Sequence, residues 1–515
     1  MNGLAPRQYT IEEYTRTVCP QCVKERQPRS DDSDVFKDGM LVSHDGKIWM
    51  RRWCARHGET ESLYEEDAGL WRARAGWSTP TLGITPDRAG NFAGFPAGYR
   101  EGLPASHGQH TCILLLNVTE KCNFACPTCY ADAVPASNQA TGDGPSIFEL
   151  LHTVDTMLAR ESGKLSVLMI SGGEPTIRRD LEEFLLAAME RPITRILLNT
   201  NGRRIARDDR FLKFLADHRE KIEVYLQFDG FRQTTHEVLR GEDLREEKKA
   251  SLSRMQDAKI WVTLVATVLK GVNEDEIGDV LQLGLDTPRC AGLAIQPMFG
   301  SGRTSAYDPL DRTTPTGVMR RLEAQTGGKV KAGDFIPLPC SHRDCCDIAY
   351  FMKSPGGEWR SLASLLGRDE LKNWIHLVSN TISFDNASGA ARELVRSGTL
   401  QRVFSEQQKV SPLRLAQDIL SMCDCDDCIP GFRELLTPGG TKESLDRLAQ
   451  RTFRVTVKQF MDAHTFHEHR IRQCCVHVGT FEEDPRRHSF CWRWLFEDAS
   501  DFPARRRESQ LRVIA

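Results

Sequence analysis

Cys122, Cys126 and Cys129 stand in Lys121-Cys122-Asn123-Phe124-Ala125-Cys126-Pro127-Thr128-Cys129-Tyr130, a spacing that lets one tight loop turn three thiolates toward a common point. Three thiolates grip three corners of a [4Fe-4S] cube and leave one iron free to take a small molecule. A structural zinc site would be closed by a fourth Cys or His nearby. Tyr130 to Gln139 hold neither.

A second set of soft ligands lies near the amino terminus, in Cys19-Pro20-Gln21-Cys22 and Cys54-Ala55-Arg56-His57-Gly58. Cys19, Cys22, Cys54 and His57 on two short turns make a tetrahedral Cys3His site for zinc or a single iron. The bland alternative is unpaired thiols and a surface histidine. Metal binding is physically sensible in this segment, because it is poor in apolar residues and its small core supplies little folding energy.

Nine further cysteines follow in three groups: Cys340, Cys345 and Cys346; Cys423, Cys425 and Cys428; Cys474, Cys475 and Cys491. Eight ligands would complete two closed [4Fe-4S] clusters with one thiol left over. One zinc site with spare cysteines is the plainer reading. His464, His467 and His469 suit a metal or a solvated helix face, and the sequence does not choose.

The elements that position the first loop come from periodicity. Six short apolar runs, 112–118, 165–171, 195–200, 222–228, 261–269 and 292–297, alternate with helical or polar stretches. Between the first two, Ile147, Leu150, Leu151, Val154, Met157 and Leu158 recur at helical spacing and mark an amphipathic crossover helix. Repeated strand–helix units imply parallel strands with right-handed crossovers, in a barrel or a doubly wound sheet. The cysteine loop, Gly172-Gly173-Glu174-Pro175, Asn199-Thr200-Asn201-Gly202, Asp229-Gly230, Asn273 and Gln296 all fall at the carboxyl ends of these runs. Barrel enzymes assemble their sites on that face. Taken singly, Asn201-Gly202 and Asp229-Gly230 are ordinary turn chemistry. Gly172 and Gly173 would let backbone approach a ligand closely.

A Cys-x-x-x-Cys-x-x-Cys loop ending in an aromatic residue, followed by a second strand ending in Ser171-Gly172-Gly173-Glu174-Pro175, resembles the radical S-adenosylmethionine superfamily over about residues 108 to 305. The resemblance implies a partial (β/α)6 barrel of the TIM type. It implies a [4Fe-4S] cluster on Cys122, Cys126 and Cys129 whose open iron takes S-adenosylmethionine, with reductive cleavage to a 5′-deoxyadenosyl radical. It further implies that Gly172, Gly173, Glu174 and Pro175 hold the methionine part, that Asn199, Thr200, Asn201 and Asn273 line the ribose and methionine side, and that Tyr130 neighbours the adenine. A low-potential electron donor of ferredoxin or flavodoxin type is the implied partner.

Pro339-Cys340-Ser341-His342, Phe460-Met461-Asp462-Ala463-His464-Thr465-Phe466 and Cys474-Cys475-Val476-His477 with Phe490-Cys491 are similar to the group that contains tetraether lipid synthase and dihydropterin dimethyltransferase. The group has an acidic residue where this chain has His467. Two chemistries follow as expectations, carbon–carbon coupling of lipid alkyl chains and, as the alternative, methyl transfer to a pterin-like molecule. A non-catalytic iron–sulfur protein for electron transfer or regulation is the reading from another class.

The expected organisation is a zinc- or rubredoxin-like knuckle and linker over 1–105, a core barrel over 106–315 and an α-rich auxiliary iron–sulfur domain over 316–515. With 68 basic and 71 acidic residues the 515-residue chain has a formal charge of −3, so nothing in it calls for nucleic acid. Seventeen clustered cysteines without a signal peptide fit a reducing, cytoplasmic setting. Without an apolar run long enough to cross a bilayer, contact with a membrane is expected to be peripheral at most.

Overall fold

In the computed structural model the described residues are 8–25, 32–77, 83–137, 144–304, 307–354, 356–368, 371 and 449–497. Cys423, Cys425 and Cys428 lie outside them.

The amino-terminal segment is a four-stranded antiparallel meander, β1 (Thr10–Val18), β2 (Phe36–His44), β3 (Lys47–Cys54) and β4 (Gly58–Glu65), paired in chain order. Its two ligand turns follow from this topology: Cys19 closes β1, and Cys54 and His57 flank the β3–β4 turn.

The core begins with β5 (Ile113–Thr119), in which every residue is buried. A continuous apolar strand of this kind belongs inside a parallel sheet covered on both faces. A short two-stranded pair, β6 (Lys121–Cys122) and β7 (Val134–Pro135), pins both ends of the cysteine loop. The strands β8 (Leu165–Gly172), β9 (Ile193–Thr200), β10 (Ile222–Gln227), β11 (Val262–Val268) and β12 (Cys290–Pro297) then add in sequence, all parallel. Each begins and ends within two residues of the run read from periodicity. The first crossover helix, Ile147–Arg160, opens on a capping box in which Ser146 and Glu149 bond each other's backbone N–H. It buries Leu150, Val154, Met157 and Leu158 against the sheet.

Beyond residue 315 come β13 (Ile336–Pro337), β14 (Cys346–Lys353), β15 (Trp359–Ser361), β16 (Thr452–Lys458), β17 (Val476–Gly479) and β18 (Arg487–Ser489). Two of them enlarge the barrel sheet: β16 runs parallel to β12, and β17 parallel to β5. The parallel row is thus β17-β5-β8-β9-β10-β11-β12-β16, with antiparallel strands outside it at both edges. Among the described residues β16 and β17 do not pair with each other, so the barrel stays open there. The sheet nevertheless curls, because Leu115, Met169, Asn199, Tyr225, Val265, Gln296, Lys458 and Val476, one from each of these eight strands, all line one cavity.

Residues 83–110, the described part of the Gly/Pro-rich stretch, pack as more than a connector. Asp87 is fully enclosed in an ion pair with Arg487, and Phe95, Tyr99 and Trp492 meet edge-on or tilted with ring centroids 5.7–5.9 Å apart. The amino-terminal meander, a ribbon of four strands, is in turn fixed to the barrel by buried polar contacts. Arg74 bonds Glu65 at 2.6 Å and Asp347 at 3.0 and 2.6 Å, and Glu65 accepts from Thr316 at 2.7 Å.

Candidate functional site

The cysteine loop leaves the end of β5 and is zipped to the end of β8 by two backbone bonds, Gly173 N–H to Thr119 O and Glu174 N–H to Lys121 O, both 2.8 Å. This explains the two glycines. Gly172 has φ +128°, and a Cβ there would meet Thr119 O at 2.2 Å; one on Gly173 would meet Lys121 O at 2.1 Å. Close approach of protein backbone, where the sequence suggested a ligand, sets the residue type here.

The three thiols face the cavity that Gly172, Gly173, Glu174, Asn199, Thr200 and Asn201 also line. Cys122 accepts the Phe124 N–H at 3.3 Å and Cys129 the Ala133 N–H at 3.4 Å. Burial, with Glu174 and the other two thiols nearby, pushes Cys122 up to about 12, and burial raises Cys126 against the pull of Arg240. Unmetallated, Cys122 and Cys126 are held as thiols. A coordinated metal deprotonates a thiol outright, so a crowded triad with N–H donors on two of its sulfurs fits a cluster.

Glu174 is 2 % exposed and already ties the scaffold together. Its Oε1 accepts from Thr176 N–H (3.1 Å), Thr176 Oγ1 (2.5 Å) and Thr200 Oγ1 (2.7 Å), and its Oε2 from Asn201 N–H (2.8 Å). A free lone pair remains on Oε2. Pro175 opens the following turn of 3-10 helix. Asn199 donates to Ser171 Oγ at 3.1 Å, and Asn201 to Asn123 Oδ1 at 2.8 Å, which joins the β9 loop to the cysteine loop. Tyr130 is packed with Phe299, Phe490 and Trp494 at 5.7, 5.8 and 5.3 Å, on the wall that also holds Phe460.

Asn273 does not join this group. It is 0 % exposed and spends its amide on backbone, donating to Asp229 O and Thr267 O and accepting from Leu269 N–H. It splints the β11 loop, and the structure corrects its assignment to the ligand-lining set.

Two residues escaped the sequence reading. Arg240, buried at the end of the helix Gln233–Arg240, bonds Asp229 at 2.7 and 2.6 Å and stands beside Cys126. Lys458 on β16 donates to Tyr225 OH at 3.2 Å at the inner end of the cavity. The signal for Arg240 was Asp229, a carboxylate at a strand end that needs a buried partner.

A second chamber adjoins the inner end. Ile113, Tyr225, Lys458, Phe460, Val476 and Phe490 line both spaces. Seven cysteines line the second: Cys112, Cys340, Cys345, Cys346, Cys474, Cys475 and Cys491. Their grouping differs from the order along the chain. Cys112, which the sequence reading passed over, comes together with Cys340 and Cys475, with Cys340 and Cys475 sulfurs 3.7 Å apart and His110 Nε2 3.3 Å from Cys112. Cys345, Cys474 and Cys491 are mutual neighbours beside Arg470, whose Nε is 3.4 Å from Cys345 Sγ.

At the ribbon, His57 Nδ1 lies 3.4, 3.4 and 3.6 Å from the sulfurs of Cys19, Cys22 and Cys54, and Cys22 and Cys54 sulfurs are 3.7 Å apart. Ligands on a tetrahedral zinc ion, at ~2.3 Å for sulfur and ~2.05 Å for nitrogen, stand about 3.8 Å (S–S) and about 3.5 Å (S–N) apart. The four residues fit one ion. Burial opposes ionisation of Cys54, but the N–H groups of Arg56 and His57 outweigh it and bring the thiol to about 6. Glu25 Oε2, 3.3 Å from His57 Nε2, orients the ligating ring.

Comparison with known proteins agrees with both centres. Residues 116–284 match the radical SAM superfamily, and 11–66 the HMPTM N-terminal zinc ribbon domain. Over 93% of each chain the protein is 24% identical to 7,8-dihydro-6-hydroxymethylpterin dimethyltransferase of Methanocaldococcus jannaschii. It is 29% identical to GTP 3',8-cyclase of Rhodopseudomonas palustris over 44% of this chain and 66% of that one. Among solved structures, Streptococcus suis SuiB bound to S-adenosylmethionine matches with a TM-score of 0.35 and 15% identity, over 42% of this chain and 47% of that one. A radical SAM methyltransferase from Sphaerobacter thermophilus matches with a TM-score of 0.28 and 11% identity, over 63% and 75%. With its three-thiol loop at the mouth of a parallel barrel and a four-ligand site ahead of it, the chain carries a radical SAM domain over residues 116–284 and an amino-terminal zinc ribbon over 11–66.

Proposed function

We propose that this protein activates an unreactive C–H bond of a compact, planar heterocycle, pterin-like in its chemistry, and transfers a methyl group to it. When bound, the cluster and S-adenosylmethionine supply the 5′-deoxyadenosyl radical. The chain's own residues bind and orient. Gly172 to Glu174 and Asn199 to Asn201 form the polar end of the cavity, where Oε2 of Glu174 is placed to accept from the ammonium of the cofactor. The aromatic wall of Tyr130, Phe299, Phe460 and Phe490 offers faces for a flat ring, and Gln296 and Lys458 offer donors at its edge.

The observation that carries this reading is adjacency: the three-thiol cavity and the cysteine-lined chamber share the wall formed by Ile113, Tyr225, Lys458, Phe460, Val476 and Phe490. Substrate held against that wall would lie between the radical source and a second set of metal ligands. Two auxiliary [4Fe-4S] clusters would draw on the seven thiols of that chamber and on His110. A relative that matches over 93% of both chains, a pterin dimethyltransferase, supports the substrate class.

Coupling of lipid alkyl chains is favoured by one feature, the apolar lining of the inner chamber by Leu197, Leu293, Leu338 and Ile348. Clusters bound in that chamber would compete with an alkyl chain for its space. Anaerobically reconstituted protein should therefore form 5′-deoxyadenosine faster with a dihydropterin than with archaeal-type lipids. Stimulation by lipid alone would reverse the choice. Cys126→Ala is expected to abolish 5′-deoxyadenosine production altogether, and unchanged production in that variant removes the assignment.

A further inference from the structure

The wall between the three-thiol cavity and the cysteine-lined chamber carries a cation that no acid meets. Lys458 reaches into that wall from β16, and its ammonium donates to Tyr225 OH at 3.2 Å. Among the described residues no carboxylate pairs with it. Glu223 on β10 is taken by Arg454 at 2.9 Å and by Thr263 at 2.5 Å. We propose that Lys458 and Tyr225 together grip a ring carbonyl oxygen of the substrate, and so select a heterocycle that carries a lactam. The inference rests on the heterocycle reading above and names the group that the wall recognises.

The donor count supports it. An ammonium has three N–H donors, and the phenol accepts one of them. Having accepted from Lys458, Tyr225 still has its own proton to give, and no acceptor among the described residues takes it. Two donors 3.2 Å apart can both reach one oxygen at ordinary hydrogen-bond length. Phe460 and Phe490 belong to the same wall, so apolar faces for a flat ring lie beside the two donors.

The charge itself needs an explanation. Lys458 is half-buried and Tyr225 is 4 % exposed, and taking a cation out of water is costly unless it is paired or well hydrogen-bonded. Arg454, four residues earlier on the same strand, is a like charge. Cys346 faces Lys458 in register from β14, so a metal-bound thiolate in the chamber is the competing explanation. A carbonyl oxygen on the cavity side would take the spare donors in charge-assisted hydrogen bonds. An amine at the same ring position would set donor against donor and leave the wall unsatisfied.

Anaerobic equilibrium dialysis of the reconstituted full-length protein, with S-adenosylmethionine present, separates these cases with two probes. One is a dihydropterin; the other is its 4-amino counterpart, in which an amine replaces the ring carbonyl. We expect wild type to bind the carbonyl compound about tenfold or more tightly than the amino one, the effect of one hydrogen bond to a charged group. Lys458→Met should erase most of that preference, and Tyr225→Phe, which keeps the ring in place, should reduce it. Equal binding of the two probes by wild type overturns the proposal and leaves the heterocycle reading standing. Binding of neither probe removes that reading and the proposal with it. A Lys458→Met protein that keeps the full preference also overturns the proposal, and loss of iron in that variant would assign the charge to the thiolates of the chamber.

Discussion

Arg240 joins the cavity to the fold through two partners, the carboxylate of Asp229 and the sulfur of Cys126. Burial alone would keep Asp229 protonated, but the guanidinium reverses that and holds its carboxyl below the usual range. Because the folded-state value is depressed, this pair stabilises the protein above the ordinary carboxylate pKa of about 3.9, and the contribution is lost as pH falls through the lower folded value. Arg240→Ala strands a buried carboxylate, and removing one partner of such a pair costs about 3–5 kcal/mol. We expect urea unfolding at neutral pH to show a loss of that order, and cluster occupancy after reconstitution to fall with it. Asp229→Asn should abolish the acid-side dependence while leaving the thiol loop able to take iron. An Arg240→Ala protein as stable as wild type would show that water reaches Asp229.

At the scale of elements, the cysteine loop is placed by the β5–β8 junction. Besides lining the cavity, the glycines there admit a close backbone approach: a methyl group on Gly173 would press on Lys121 O at 2.1 Å. Overpacking of this kind costs typically 1–3 kcal/mol, and here the yielding part is the loop that holds the thiols. Gly173→Ala is therefore expected to reduce iron at the first cluster to well under half of wild type, while the ribbon keeps its metal. Full iron content in that variant would mean that the loop sets its own shape.

Local features were legible in the sequence and distant ones were not, as these elements illustrate. Cys122, Cys126 and Cys129 lie within one turn of chain, so spacing alone conveyed their convergence. The six core strands announced themselves as apolar runs bounded by turn residues. Cys112 was silent because its neighbours Cys340 and Cys475 are more than two hundred residues away, brought near only when β17 docks beside β5. Thr452–Lys458 alternates like any half-buried strand, and nothing local says that it extends the parallel row at β12. Asn273 followed a family pattern, but three backbone groups, of Thr267, Leu269 and the distant Asp229, took its amide.

Across the whole molecule, ribbon, barrel and carboxy-terminal strands share one seam, and its charge balance makes docking depend on pH. Arg74, 2 % exposed, faces three buried carboxylates, Glu65, Asp344 and Asp347. Burial and the neighbouring charges of Glu65 and Asp344 outweigh Arg74 and push Asp347 up to about 7, so the cluster retains a proton near neutrality. A carboxyl whose folded value is raised contributes stability that is full below its unfolded pKa of about 3.9 and is lost as pH rises through the folded one. Between pH ~5 and ~8 the wild type should lose about 2–3 kcal/mol that Asp347→Asn does not lose. The loss should appear first as ribbon release, read by limited proteolysis between β4 and the barrel. Parallel pH curves for the two proteins would mean that Arg343 and Arg470, close to Asp344, already neutralise the seam.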